Sequence, residues 1–385
     1  MAVGSFYPDI TGGATQVETL IKQLQDSYDF LVFSGCSNAS SEDFGVYKDI
    51  KIYRARVRVK GLFQRLNTTI KIMIGYLRLR QEYDILHVHG FTQMNVTLAI
   101  LARLTGKKIV YSVRTAGHDD PFSVANSSLG KFKKLFFSLA DRIICVSPGL
   151  YNLSKIYGIE EKRLFLIPNG VDITKYVPVK DECEKSSLRN MLQLPSLDYK
   201  IIIYVGYMKK DKGFHLLLEA WLRLKGKFPH VKILTICPLK GNLFEEDYFK
   251  EITYFLKEKG ISEDIQFIGN TFEIEKYFKA SDIFILPSYK EGMPNALLEA
   301  MATGLCCIVT QLPGATDFLI QDGINGFLFD KGDSENLANK LKTILRDNDL
   351  LKKVGFNSRK FVACKYDIIN ISKKYTDFYD SLYKA

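Results

Sequence analysis

At 385 residues the chain is long enough for two domains, each with its own core. Its 46% apolar and 25% charged residues exclude a disordered or fibrous protein, and no apolar run reaches the roughly 18 residues a transmembrane helix needs. The net charge of +10 is uneven: residues 48–80 hold ten Lys and Arg against Asp49 alone. Seven cysteines (Cys36, Cys145, Cys183, Cys237, Cys306, Cys307, Cys364) form no Cys-x-x-Cys pair, which suits thiols in a reducing cytoplasm rather than a disulfide framework or zinc site.

Met1-Ala2-Val3-Gly4 has neither a basic start nor a long apolar core, so no signal peptide is expected. The stretch VGSFYPDITGGATQVETLIKQL reads as a strand end, a loop with Gly12-Gly13, and a helix from about Ala14. Adjacent glycines let backbone amides approach a ligand at a helix N-terminus, although most such pairs are turns. Only about five residues precede the loop, so a short or truncated first strand is expected. Apolar runs at 29–34, Ile85–His89, Lys108–Val113, 142–147 and 163–168 read as strands. Helical patterns at 15–24, 92–104 and 129–139 separate most of them, which implies a parallel sheet covered on both faces.

The basic excess falls on a strand and a helix. Arg54, Arg56 and Arg58 alternate with Ala55 and Val57, and Lys60 continues the period. A helix over 62–80 carries Leu62, Phe63, Leu66, Ile70, Met73, Ile74 and Leu77 as apolar positions, with Arg65, Lys71, Arg78 and Arg80 as cations. Such a pair of elements can bind an anionic membrane surface, bind nucleic acid, or be a solvated face. No aromatic ladder supports nucleic acid, so residues 48–80 are expected to meet an anionic membrane. His87 and His89 share one face of a strand and are expected to be packed rather than metal-bound. His118 lies in the loop after Val113, where a surface or packed histidine is the alternative to a ligand contact. Arg114, Asp119 and Asp120 beside it could bind sugar or acceptor instead.

A polar stretch with prolines at both ends, 178–198, reads as a short helix and a linker. A second alternating series follows, with strands at Lys200–Val205, 231–237, Ile265–Ile268, Ile283–Leu286 and Cys306–Thr310. Two such series imply two Rossmann-like domains, whose ligands sit beyond the carboxyl ends of the strands. After Val205 comes Gly206-Tyr207-Met208-Lys209-Lys210-Asp211-Lys212-Gly213, a loop with three lysines before a helix. It suits a diphosphate, or is a lysine-rich turn. After Leu286 the chain turns through Gly292 and Pro294 into a helix near Asn295. Glu291 then lies in the loop, Glu299 one turn inside the helix, and the amides from Asn295 to Leu297 face whatever precedes them. This is a site for a hydroxyl-rich or anionic ligand, or an ordinary helix with two solvated glutamates. The one Asp-x-Asp, Asp347-Asn348-Asp349, falls in a polar turn and predicts no metal. From about 350 the tail is helical.

Glu291-x7-Glu299, preceded by SDIFILPS and followed by AMATGLCCIVT, resembles the signature of the retaining glycosyltransferases of family 4. The resemblance implies the GT-B fold: α/β, two Rossmann-like domains with an interdomain cleft. It places an acceptor-binding domain at 1–178, a nucleotide-sugar-binding domain at 179–362, and a terminal helix at 363–385 that crosses back to the first domain. Gly12-Gly13 would be the glycine-rich loop where acceptor and donor phosphates meet. The loop ending at Gly213 is similar to the family's Gly-Arg-x4-Lys-Gly element, which gives Lys212 the diphosphate. Tyr207 replaces the arginine, and Lys209 is a possible substitute. Glu291 would hold the sugar's hydroxyls, Glu299 the ribose, and His118 would orient the sugar. Gly292, Met293, Pro294, Asn295 and Leu297 would line the donor site, with Asp317 secondary. No cofactor or metal is implied. The expected reaction moves a sugar, with retention, from a nucleotide-sugar donor (UDP-sugar favoured) to a hydroxyl of a glycan or polyprenyl-diphosphate-linked acceptor. That fits synthesis of a bacterial surface polysaccharide by a cytoplasmic protein, peripheral on the membrane's inner face. The alternatives are another GT-B enzyme such as a sugar phosphorylase, or a non-catalytic nucleotide-binding module.

Overall fold

The computed structural model describes residues 1–7, 11–36, 43–56, 61–126, 136–239 and 244–383. Arg58, Lys60 and the start of the helix expected over 129–139 lie outside them, as do the side chains of Arg56, Leu62 and Arg65. The chain divides into two units, one of Met1–Gly170 with Ile368–Ala385, the other of Val171–Asp367.

In the first unit an eight-stranded sheet runs in the order β3-β4-β2-β1-β5-β6-β7-β8. Its strands are β1 (Ala2–Val3), β2 (Leu31–Cys36), β3 (Asp43–Tyr47), β4 (Ile50–Arg56), β5 (Ile85–His89), β6 (Lys108–Val113), β7 (Arg142–Cys145) and β8 (Leu164–Leu166). All pair in parallel except the edge strand β3, which returns antiparallel on β4 through the left-handed residues Lys48 and Asp49. The two-residue β1 is central, with Val3 in register with Ser34 on one side and His89 on the other. Because β1 separates strands that run away from it in opposite directions, its carboxyl end is the switch point, where such sheets bind ligands.

The helix Gly12–Leu24 starts there, capped by Thr11, whose Oγ1 accepts the Ala14 N–H at 3.1 Å. Its apolar stripe of Val17, Leu20, Ile21 and Leu24 packs in one core with Ile371, Tyr375, Phe378 and Tyr379 of the terminal helix Ile368–Tyr383. The helix Leu62–Leu79 turns Thr68, Ile72, Gly75, Tyr76 and Leu79 inward. A Cβ at Gly75 would collide with the Tyr53 ring, and Tyr53 Oη donates to Lys71 O at 2.6 Å. The opposite stripe (Phe63, Leu66, Ile70, Met73, Ile74, Leu77) is exposed, Phe63 at 89%.

The second unit holds a six-stranded parallel sheet, ordered β11-β10-β9-β12-β13-β14. Here β9 is Lys200–Val205, β10 Val231–Ile236, β11 Ile265–Ile268, β12 Ile283–Leu286, β13 Cys306–Thr310 and β14 Phe327–Phe329. This is the 3-2-1-4-5-6 order of a doubly wound fold, so the switch point lies between β9 and β12. These strands are continuous apolar runs because helices cover both faces. The polar stretch 178–198 is no slack linker within this unit. Its helix Glu182–Met191 sends Arg189 inward to the carbonyls of Ala280, Ser196 and Tyr199. Among the described residues no helix is long and apolar enough to cross a membrane.

Candidate active site

Two loops meet beyond the carboxyl ends of β9 and β12. The first runs from Gly206 to Gly213 through a single turn, Lys210–Lys212, into the helix Phe214–Leu222. Gly213 sits at φ +69°, and any Cβ there would strike the Pro287 carbonyl, so this close crossing of the two loops requires glycine. The Tyr289 N–H donates to Asp211 O at 2.8 Å and ties the loops a second time. Between these ties, Lys212 Nζ donates to Glu291 Oε1 at 2.8 Å. Burial opposes the Lys212 charge, but the attraction and hydrogen bond of Glu291, helped by Asp211 and Tyr207, raise its pKa overall. Lys212 is 20% and Glu291 11% exposed, so the pair faces solvent through a narrow opening.

Chain order therefore nominated two residues for donor chemistry, and the fold sets them in contact. Lys209 goes elsewhere, to Glu245 at 3.5 Å, away from Glu291. Gly292, Met293 and Pro294 are buried in the turn leading to the helix Asn295–Ala302. That helix has no side-chain cap, and the N–H groups of Leu297 and Leu298 both donate to Pro294 O (3.2 and 3.3 Å). The Leu297 amide is thus used within the turn. Glu299, one turn along, is hydrogen-bonded to the buried Tyr176. Burial lifts its pKa to about 7, Lys175 and Tyr176 oppose the rise, and Glu275 adds to it. Glu275 lies 3.6 Å from Lys175. Sequence reasoning missed Lys175, Tyr176 and Glu275, which no local motif marks.

In the first unit, Gly12 and Gly13 open the helix at the switch point, and among the described residues a Cβ at Gly13 would meet only Thr11 Oγ1, at 3.9 Å. His118 is exposed at the tip of its loop. Its acidic neighbours are occupied in shaping that loop. Asp119 accepts the Arg114 and Thr115 N–H groups (3.1 and 2.6 Å), and Asp120 accepts those of Gly117 and Ser123 (2.6 and 3.0 Å). Arg114, the first residue beyond β6, bonds His89 and Asn169. His87 uses both ring nitrogens, on Tyr379 Oη (2.6 Å) and Ser112 Oγ (2.7 Å), and stacks on His89. Ser147 caps the helix Pro148–Ile156, Asp347 caps Asn348–Lys365, and Asp317 Oδ1 accepts the Gly314 N–H at 2.7 Å. Those three are structural.

Two Rossmann-like units, each with a glycine loop and helix start at its switch point, define the GT-B class of α/β protein. Residues 10–175 match the family "Glycosyltransferase Family 4", and residues 190–361 match "Glycosyl transferases group 1". The chain belongs to the family 4 glycosyltransferases and is a transferase. It is 25% identical to the capsular polysaccharide biosynthesis glycosyltransferase CapM of Staphylococcus aureus, over 84% of this chain and 83% of that one. A UDP-Gal:alpha-D-GlcNAc-diphosphoundecaprenol alpha-1,3-galactosyltransferase of Escherichia coli is 26% identical over 80% of this chain and 79% of its own. Among solved structures, HepE of Anabaena, in complex with UDP and glucose, superposes with a TM-score of 0.79. It is 21% identical and matches 99% of this chain and 98% of its own. That likeness bears on the fold alone.

Proposed function

We propose that this chain transfers a sugar, with retention, from a UDP-sugar to a hydroxyl of a glycan or polyprenyl-diphosphate-linked acceptor, in the synthesis of a bacterial surface polysaccharide. The observation that carries the reading is the Lys212–Glu291 contact of 2.8 Å at the switch point of the second sheet. A nucleotide-sugar offers a diphosphate to the lysine and sugar hydroxyls to the glutamate, so each group exchanges its partner for a substrate atom. Positive charge fixed beside the breaking bond stabilises the departing diphosphate without a metal. Glu299 faces the ribose, and the acceptor hydroxyl attacks from the leaving group's own face, so no protein nucleophile is assigned. The similarity to CapM, a capsular polysaccharide biosynthesis glycosyltransferase, and to a galactosyltransferase named for a GlcNAc-diphosphoundecaprenol favours this substrate class.

The exposed stripe from Phe63 to Leu77, flanked by the exposed cations Lys71, Arg78 and Arg80, supports a peripheral place on the anionic inner face of the membrane. Incubation with UDP- and GDP-sugars, following nucleotide release, tests the reading. Glu291→Ala and Lys212→Ala should each cut release about 10²–10³-fold while the protein stays folded. Full activity in either variant would sink the site assignment. Binding of nucleotide with no turnover of any donor would instead favour a non-catalytic module.

A further inference from the structure

The carboxyl edge of the first sheet holds a cation that the roles above leave unused. Arg114 Nη1 donates to His89 Nδ1 at 3.1 Å, and Nη2 donates to Asn169 Oδ1 at 3.3 Å. Neither partner is an acid. The neighbouring carboxylate, Asp119, spends its oxygens on the backbone N–H groups of Arg114 and Thr115. A guanidinium has no lone pair, so His89 Nδ1 must be the acceptor and the imidazole proton is fixed on Nε2. That Nε2–H is enclosed, in a side chain of a residue 5% exposed, and has no acceptor among the described residues. Burial first, then His87 and Arg114, hold the imidazole neutral. The pair therefore carries one positive charge and surplus donors; Asp119 attracts that charge, but among the described residues no carboxylate is hydrogen-bonded to the guanidinium. Enclosing a charge this way is costly unless an anion completes it.

The register fixes where that anion would lie. Val3 pairs with His89, so the loop from Gly4 to the helix at Gly12–Gly13 begins beside the histidine. The start of that helix adds a partial positive charge to the same edge.

We propose that Arg114, aimed by His89 and Asn169, binds a substrate diphosphate at this edge, with His89 as a positioning residue. The inference rests on the transferase reading. The phosphoryl oxygens come from the leaving group of the nucleotide-sugar or from the diphosphate of a lipid-linked acceptor.

UDP, uridine and farnesyl diphosphate, titrated calorimetrically into the full chain, separate the two sources. Arg114→Gln should lose tenfold or more in affinity for one of the diphosphates, keep its affinity for uridine, and show a flatter dependence on salt. Loss for UDP assigns Arg114 to the leaving group; loss for farnesyl diphosphate assigns it to the acceptor. His89→Phe should show a smaller loss of the same sign, because the charge remains but is no longer aimed. Should Arg114→Gln fail to fold, Arg114→Lys keeps the charge and loses the fork, with an expected loss of at least threefold. Unchanged affinity for both diphosphates in a folded Arg114 variant overturns the proposal and leaves the transferase reading standing. A wild-type chain that binds neither UDP nor farnesyl diphosphate overturns the transferase reading, and the proposal with it.

Discussion

Strands β9 and β12 are tied by ion pairs at both ends, and the two ties differ in what they leave open. At the amino end Asp282 accepts from Arg189 (2.8 Å) and the Ile201 N–H (2.7 Å) on one oxygen, and from Lys185 (2.6 Å) on the other. Arg189, 1% exposed, gives three further N–H groups to the carbonyls of Ala280, Ser196 and Tyr199. At the carboxyl end one hydrogen bond joins Lys212 to Glu291, with solvent near both. A carboxylate that already takes three donors has little capacity for another partner and serves as scaffold. A pair with spare donors and acceptors can trade its contact for a ligand. Saturation, more than charge or exposure, distinguishes the two pairs, since Lys185–Asp282 (17% and 9% exposed) and Lys212–Glu291 (20% and 11%) are similarly covered.

The largest expected effect is at the saturated end. Arg189→Ala should destabilise the protein by about 3–5 kcal/mol, because the buried Asp282 loses its guanidinium partner and three carbonyls lose their donor. Urea denaturation would read this as a lower midpoint with an unchanged slope. Turnover per folded molecule at low temperature should stay within a few-fold of wild type. A stability loss near zero would break the contrast at its strong end.

Lys212→Ala and Glu291→Ala should behave in the opposite way. Transfer should fall about 10²–10³-fold if the lysine's charge acts on the leaving group, as for other groups that stabilise developing charge. Stability should fall by only about 1–2 kcal/mol, the scale of one hydrogen bond to a charged group. The double variant should recover part of that loss and none of the activity. If instead either single variant melts like Arg189→Ala and keeps its specific activity, the two ends of the sheet are equivalent.

Much of the scaffold was legible in the sequence, because buried parallel strands are continuous apolar runs. Lys200–Val205, Ile265–Ile268, Ile283–Leu286 and Cys306–Thr310 fall where those runs do. That Glu291 and Lys212 would lie at the same end of the second sheet was legible as well, since each follows the carboxyl end of a parallel strand. What was hidden depends on contacts remote in sequence. Nothing near Glu299 announces Tyr176 or Glu275, and nothing in Arg189 marks it as buried. His118 drew attention as the histidine of its loop, whereas the side chain at the sheet edge is Arg114. The helix Leu62–Leu79 shows a further limit: its core face includes Thr68 and Gly75, so the stronger apolar signal comes from the exposed face.

Glu299 sharpens the contrast through pH. Its pKa is raised from 4.5 to about 7, so the folded protein binds a proton that the unfolded chain has released. Stability from this group is fully present below about pH 4.5 and is lost as pH rises through about 7. Between pH 5 and 8 the wild type should lose about 1–3 kcal/mol from this source. Glu299→Gln should flatten that slope. Persistence of the full slope in Glu299→Gln would assign it to other groups.

The smallest effects concern a surface left open in the first unit. Phe63, Leu66, Ile70, Met73, Ile74 and Leu77 lie about half a turn around the helix from Thr68, Ile72 and Leu79, so one helix carries a satisfied face and an unsatisfied one. Lys71 and Arg78 border the open face, and each is worth about 1 kcal/mol at an anionic bilayer surface. Lys71→Gln and Arg78→Gln should therefore each weaken sedimentation with phosphatidylglycerol vesicles about fivefold, and added salt should weaken the wild type in the same way. Ile70→Asp, made on the apolar stripe itself, should release the protein at any salt concentration while leaving the melting temperature close to wild type. Binding that ignores all three substitutions would mean that this face, like the Asp282 network, has no further partner.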